Sequence, residues 1–430
     1  MTRKQSITLI SLIIITCTFM VFLLLEGSPT VFQSNQDLAA NNPDPSAALV
    51  EDVQGKRLDI QVAVSEDAFT LLQQWTEAYQ REHPDLTIVL ENRAAEGLYE
   101  HYKAEARLEE LADVILMDNH WIPEYAALGY LQALDPLSSA ESQNEIHNDM
   151  MNQIKWNGYT WGLPQSMNPY VLVLNREVLE RHAYAELSHN LTEWAEMIQA
   201  FNPTDGAIGM YMNPDDINAL LALLWTPNDP AQETDGDAAY EETSPVLDVL
   251  EQIWADMGSQ VQQLNAESDD PWQMLVEGKL AFYLTDWANY YQHANDNLDV
   301  MNIPDLVQSA FLTGRSYVIS SDSDLPQEAF EWITDMTSRD KQVDIMAASG
   351  WLPVDMSCYQ AEPITLDRHF DLIANVVMQN RTLPLDRKFQ QKLAESNALQ
   401  TSLQSGEVTV AEFVQTFQTI WSHASLQGNL

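Results

Sequence analysis

Cysteine and basic residues are what this chain has least of. Its 430 residues hold two cysteines, Cys17 and Cys358, and Cys17 falls inside an N-terminal apolar run, so the folded part has no pair from which to build an internal disulfide. Lys and Arg number 20 against 64 Asp and Glu, a formal charge of -44. That excess disfavours any broad contact with phosphate backbones or anionic headgroups and excludes nucleic acid as a partner. It reads as a solvated acidic surface suited to salty or alkaline surroundings.

Equally absent are the short motifs of common chemistries. There is no GxxxxGK[ST] or GxGxxG to hold a nucleotide, no HExxH, no CxxC pair, no GxSxG elbow and no D-x-[DN]-x-[DN]-G calcium loop. Ser338 to Lys341 fits S-x-x-K by letter, but it follows a helical pattern and lacks the companion motifs, so it reads as a surface turn. With 64 acids, carboxylate pairs arise by chance, and none stands out as a glycosidase pair. No cofactor and no metal site are expected.

What is present begins at the N-terminus. Arg3 and Lys4 precede an uncharged apolar run from Ile7 to Leu25, about the length of a bilayer-spanning helix. This segment, 1–25, is expected to act as an export signal or, better, as an uncleaved anchor with a cytoplasmic N-terminus. Cleavage and lipidation before Cys17 is the rival; the apolar "TFMVFLLL" after that cysteine opposes it. Residues 26–56, rich in Pro, Asn, Asp and Ser, read as a flexible tether that would hold a folded body on the order of 30 Å from the membrane.

From Arg57 the pattern changes. "RLDIQVAV" reads as a strand, Ala68 to Glu82 as a helix with Phe69, Leu72, Trp75 and Tyr79 at helical spacing, "DLTIVLEN" as a second strand, Gly97 to Leu111 as a helix and "ADVILMD" as a third strand. This βαβαβ order predicts an open α/β sheet. Ligands gather at the carboxyl ends of such strands, where Ser65, Glu66 and the quartet Asp118, Asn119, His120 and Trp121 fall. The competing reading is that Asp118 or Asn119 caps the helix around Pro123 to Leu128 while Trp121 packs on the sheet.

"YTWGLPQSMNPYVLVLNREVL" (159–179) then predicts a strand broken at Gly162-Leu163-Pro164 and a second strand from Tyr170, a crossing between lobes. Helical patterns follow, including "LTEWAEMIQAF", "DINALLALLW" and "SPVLDVLEQIWADM". A helix ending near Gly278 leads into the strand "LAFYLT", at whose tip Asp286 and Trp287 emerge. "FLTGRSYVISS" reads as a strand, "PQEAFEWITDM" as a helix, "QVDIMAASGWLPVD" as a helix stopped by Gly350, and the remainder as helical. Many of the 39 aromatic residues (12 Trp, 15 Tyr, 12 Phe) sit beside turns and strand ends, where flat faces flanked by polar groups suit sugar rings. Trp75, Trp194, Trp254 and Trp332, in helical runs, are assigned to packing.

In this order, "ADVILMDNHWIPEYAALGYLQALD", "GYTWGLPQSMNPYVLVLNREVLE", "LVEGKLAFYLTDWANYY" and "SYVISSDSDLPQEAFEWITDMTSRDKQ" with "SGWLPV" resemble the landmarks of the extracellular solute-binding proteins of ABC importers. The closest likeness is to the carbohydrate-binding family that includes maltodextrin-binding protein, over about Leu58 to Phe417. The resemblance implies a two-lobed periplasmic-binding-protein-like α/β fold with a hinge and a central cleft, behind the N-terminal membrane segment. Residues 57–165 with 307–338 would form one lobe, and 166–306 with 339–430 the other.

Carried over by position, it implies ligand contacts from Ser65, Glu66, Asp118, Asn119, His120 and Trp121, a stacking role for Trp287, and Tyr170 near the hinge face. Gly314 to Tyr317 would lie on the cleft rim, and Trp351 in a further contact turn. Arg315 stands where the family more often has a small residue; it would either recognise a carboxylate on an acidic sugar or pair with a neighbouring acid. The implied partners are a carbohydrate, expected to be an oligosaccharide, and the membrane subunits of an ABC permease, at the extracytoplasmic face of a bacterial membrane. No covalent chemistry is expected. Alternatives of other kinds are a ligand sensor coupled to a membrane protein and an extracellular carbohydrate-active enzyme.

Overall fold

The computed structural model describes residues 55–137, 146–182, 184, 191–201, 207–213, 216–224, 270–302, 312–360, 364, 369–379, 385 and 387–421. The expected anchor and tether, and the helical run 244–257 with Trp254, lie outside them. Among the described residues no helix is long and apolar enough to cross a membrane.

The first elements follow the apolar pattern closely. β1 (Lys56–Val62) leads into α1 (Glu66–Glu82), whose N-terminus is capped by Ser65 Oγ accepting the Ala68 N–H at 3.4 Å. Glu66 and Asp67 in its first turn complement the helix dipole. β2 (Leu86–Asn92), α2 (Leu98–Arg107) and β3 (Val114–Asp118) complete the unit. Both β2 and β3 run parallel to β1, on opposite sides of it, as the strand–helix alternation requires.

Beyond β3 come a single 3-10 turn at Asn119–Trp121, α3 (Ile122–Leu128) and α4 (Asn148–Gln153). A short hairpin of β4 (Lys155–Trp156) and β5 (Tyr159–Thr160) precedes β6 (Leu163–Asn175) and α5 (Arg176–Arg181). Then follow α6 (Leu191–Ala200), β7 (Ile208–Met212), α7 (Ile217–Leu224), α8 (Pro271–Val276), β8 (Leu280–Asp286), α9 (Trp287–His293) and β9 (Leu298–Asn302). The chain returns through β10 (Leu312–Ile319), α10 (Pro326–Met336), α11 (Arg339–Ser349) and β11 (Leu352–Pro353). It closes with α12 (Phe370–Gln379), α13 (Phe389–Gln404) and α14 (Val410–Trp421).

The strands form a path β2-β1-β3-β10-β6-β8-β7, with β9 and β11 also paired to β6. The break expected at Gly162-Leu163-Pro164 falls at Trp161-Gly162, between β5 and β6, but the second strand starts at Leu163 rather than Tyr170 and runs unbroken for 13 residues. It changes partners midway. Leu163 to Pro169 pair with β10, whereas Tyr170 to Asp286 begins the ladder to β8. Pro169 has no N–H to give, and it sits where one set of hydrogen bonds stops and the other starts, so the strand passes through without losing a ladder bond.

Two apolar cores flank that crossing. Leu58, Ile60, Val114 and Leu116 pack with Tyr317 and Trp332 under α1 and α10. Leu172, Trp194, Phe282 and Met210 pack with Phe389, Phe413 and Phe417 of α13 and α14. Trp194 and Trp332 are fully buried and Trp75 packs at the edge of the first core, all as packing residues. Each fully buried large side chain contributes on the order of 2–3 kcal/mol.

Candidate functional site

A row of residues crosses four strands where the carboxyl end of β3 meets the middle of β6. Asp118 of β3 lies opposite Arg315 of β10, Arg315 opposite Ser166 of β6, and Ser166 opposite Pro353 of β11. Side chains at opposed positions share a face. Arg315 Nε donates to Asp118 Oδ1 at 3.2 Å and Nη1 to the Ala63 carbonyl at 3.1 Å, while the guanidinium lies over the Trp351 ring, 4.1 Å from its centre. Of the two roles expected for Arg315, the structure displays the pairing with a neighbouring acid.

Beside this row opens a cavity of about 240 Å³. Ala68 and Leu72 of α1, Leu116 and Tyr317 give it apolar lining; Ser65, Gln165, Ser166, Arg315, Ser349 and Trp351 bring polar groups to it. Gln292, from α9 beyond the strand crossing, also lines it, so both parts of the sheet contribute walls. Burial pushes the Tyr317 hydroxyl well above its ordinary range, and its oxygen has no hydrogen-bond partner among the described residues. Apolar walls with a few converging polar groups are the usual make-up of a small-ligand site.

The expected contacts divide. Ser65, Arg315 and Trp351 line the cavity, and Glu66 is exposed beside Ser65 at the start of α1. Asp118 stands behind Arg315. The other three members of the quartet are turned to structural tasks. Asn119, fully buried, donates to Gln153 Oε1 at 2.8 Å and accepts from Ser316 Oγ at 2.6 Å. His120 stacks on Phe389 with ring centres 5.3 Å apart, and burial lowers its pKa against the opposing pull of Asp118. Trp121 packs on Tyr99 and Tyr102 while keeping part of its surface exposed.

Tyr170 and Trp287 also lie deeper than a ligand wall. The Tyr170 hydroxyl donates to the Asp216 carboxylate at 2.8 Å; burial raises the pKa of both groups. Trp287 is 1% exposed, against Tyr290 and the edge of His369. It was expected on an exposed cleft wall; as the first residue of α9, directly after the buried β8, it turns into the core instead. Asp286 caps that helix by accepting the Asn289 N–H at 2.9 Å, and Asn168 of β6 ties it down by donating to Asp286 Oδ1 and accepting the Ala288 N–H.

Gln165, Ser166 and Gln292 were not singled out from the sequence, whereas Ser349 belongs to the expected contact turn at Ser349-Gly350-Trp351. The available signal was "PQS", a polar pair inside an otherwise apolar strand, which periodicity alone does not distinguish from a strand break.

The sequence profile of the bacterial extracellular solute-binding protein family matches residues 74–371. No curated protein matches the chain. Among solved structures, the sugar-binding protein MalE from Xanthomonas citri superposes with a TM-score of 0.66 at 15% identity, covering 86% of this chain and 98% of that one. Maltose-bound T. maritima MalE3 gives 0.68 at 16% identity, with coverage of 86% and 99%. The maltose-maltodextrin binding protein of Alicyclobacillus acidocaldarius gives 0.64 at 13%, with coverage of 85% and 99%. At such identities the likeness establishes the two-lobed α/β fold.

Proposed function

The chain belongs to the bacterial extracellular solute-binding proteins, and from that premise we propose that it captures a carbohydrate outside the cytoplasm and delivers it to an ABC permease, without covalent chemistry. The observation that carries this reading is the cavity at the strand crossing, with apolar lining and hydroxyl, amide and guanidinium groups drawn from both sides of β6. The C–H face of a sugar ring suits such a lining and its hydroxyls suit such polar groups. Names of the similar structures, which refer to sugar, maltose and maltodextrin, agree with this choice of ligand class.

In this proposal Ser65, Glu66, Arg315 and Trp351 meet the ligand, and Asp118, Asn119, His120, Trp121, Tyr170 and Trp287 hold the walls. The expected lobe boundary at 165/166 falls within β6, and the change of pairing between Pro169 and Tyr170 supports a division in that strand. Closure then requires the ligand to bind the closed arrangement better than the open one, which contacts from both sides of the crossing supply. At about 240 Å³ the cavity falls below the usual range for larger ligands, roughly 300–1,000 Å³, so an oligosaccharide would place one ring here and extend outward. Residues 1–25 would hold the protein at the membrane; their uncharged apolar length supports this.

Thermal unfolding of the full chain, in mild detergent, against neutral mono- and oligosaccharides and uronic acids tests the reading. A ligand that binds only the native state raises the midpoint with the logarithm of its saturation. A shift with one sugar class is expected. No shift with any, under conditions where a known sugar-binding protein of this fold responds, would overturn the carbohydrate assignment.

A further inference from the structure

Along β10 the register against β6 slips by one residue. Arg315 faces Ser166 and the next residue, Ser316, faces Pro164, which leaves Gln165 as an extra residue without a partner across the ladder. A bulge of this kind takes consecutive side chains out of strict alternation and re-aims them. Both Gln165 and Ser166 consequently line the cavity, where a regular strand would send one of them to the opposite face.

Their surroundings leave both side chains turned to the cavity rather than bonded within the fold. Gln165 is 4% and Ser166 2% exposed, yet neither side chain forms a hydrogen bond with any described residue. Nor are their polar atoms among the buried ones sealed off without a partner, so what access they keep is to the cavity. Nearby buried polar groups behave differently. Asn168 is bonded to Asp286, Ser316 to Asn119, and Gln342 to Thr337 and Val354. The amide and the hydroxyl are thus free of partners within the fold and open to whatever occupies the cavity, water or ligand.

The charges around the cavity indicate what that is. Arg315 is offset by Asp118, and Arg93, the other cation lining it, by Glu91 at 3.1 Å and Glu105 at 3.5 Å. No uncompensated positive charge remains there for an anion. A carboxamide and a hydroxyl each donate and accept, as do the hydroxyls of a sugar, whereas a carboxylate only accepts.

We propose that Gln165 and Ser166 are ligand-contacting residues that make the cavity selective for a neutral, hydroxyl-rich ring over an acidic one. This rests on the carbohydrate reading above and adds to it a specificity determinant created by the bulge. The bulge belongs to the strand that joins the two parts of the sheet, so ligand engagement at Gln165 bears directly on the crossing.

Calorimetric titration of the full chain with glucose, galactose, mannose, maltotriose, glucuronate and galacturonate tests it, on wild type, Gln165→Leu and Ser166→Ala. The expected result is binding of a neutral sugar, weaker binding of its uronate, and a loss of about 5- to 10-fold in affinity in each variant. The unliganded melting temperature should stay level or rise, because an unpaired polar group has been removed; a purely structural role would lower it. If Gln165→Leu fails to fold, Ser166→Ala decides. A neutral sugar held with unchanged affinity by the folded variants would overturn the role of this pair and leave the general function standing. Tighter binding of a uronate than of its neutral parent would overturn the selectivity. If none of these sugars binds the wild type, both this inference and the carbohydrate reading fall.

Discussion

Arg315 lies over the indole of Trp351, its guanidinium carbon 4.1 Å from the ring centre, while its Nε is held 3.2 Å from the Asp118 carboxylate. The cation is thereby shared between an acid and an aromatic face, and its charge is largely answered before any ligand arrives. Replacing the acid changes that. Asp118→Asn should raise affinity for uronates while altering that for neutral sugars by less than about 3-fold. The fold should lose about 0.5–1.5 kcal/mol, since both side chains keep some solvent contact. Titration with galacturonate and urea unfolding read the two effects; unchanged uronate binding would show that Asp118 does not govern the charge at the cavity.

Asn119 is a structural pivot. Its amide joins Gln153, which in turn donates to the Leu312 carbonyl at 3.0 Å, and its oxygen takes the Ser316 hydroxyl. Gly314 leaves room for it: a Cβ there would stand 2.6 Å from Asn119 Nδ2. Asn119→Ala would strand two buried polar groups, and a loss of about 2–4 kcal/mol in urea unfolding is expected. A loss below about 0.5 kcal/mol would mean that the network relaxes onto other partners.

Trp287→Ala separates a wall from a core. With 1% of its surface exposed, the indole should cost about 3–5 kcal/mol of stability when truncated. Weakened ligand binding would then follow from displacement of α9 and Gln292. A variant that unfolds like wild type but no longer binds sugar would restore the exposed-wall role that its position in the sequence suggested.

That contrast shows where the sequence was readable. The βαβαβ unit was legible because its strands are short apolar runs separated by helices whose buried positions recur at helical spacing, as at Ala68, Leu72 and Tyr79. β6 was not, because Leu163 to Asn175 is buried almost throughout, and a continuous buried strand gives no alternation to separate it from two shorter ones. The site was half legible. Ser65 and Trp351 stand at element ends, where ligands gather, but Gln165 and Ser166 reach the cavity through a register slip set by a partner strand roughly 150 residues away in sequence, which local patterns do not encode.

Gly350 joins α11 to the Trp351 turn with φ +78°, and a Cβ there would meet Tyr291 Cβ at 2.7 Å and Ala288 Cα at 3.0 Å. Backbone conformation and the close approach of α9 both demand glycine. Gly350→Ala should cost about 1–3 kcal/mol and push α9 away from Trp351. Ligand affinity should fall with it, because Gln292 and Trp351 line the same cavity. Full retention of affinity would mean that the two walls close independently of this contact.

His120 gives a signed pH dependence. It is buried against Phe389, and burial lowers its pKa, with Asp118 pulling weakly the other way. Its unfolded value is about 6.5, so between the depressed folded value and that one the unfolded chain binds more protons than the native one. Stability from this residue is therefore complete above about pH 6.5 and is lost as pH falls through the folded value. His120→Phe keeps a ring on Phe389 and removes the titration. Urea unfolding of both proteins across this range should show the wild type losing ground to the variant as the solution is acidified, with a constant difference above neutrality. The comparison cancels the other histidines and the many carboxylates, which titrate alike in both. Parallel profiles would mean that the imidazole takes up its proton as readily in the folded protein as in the unfolded chain, so that the stack on Phe389, which joins the loop after β3 to the C-terminal helices, does not depend on its neutral form.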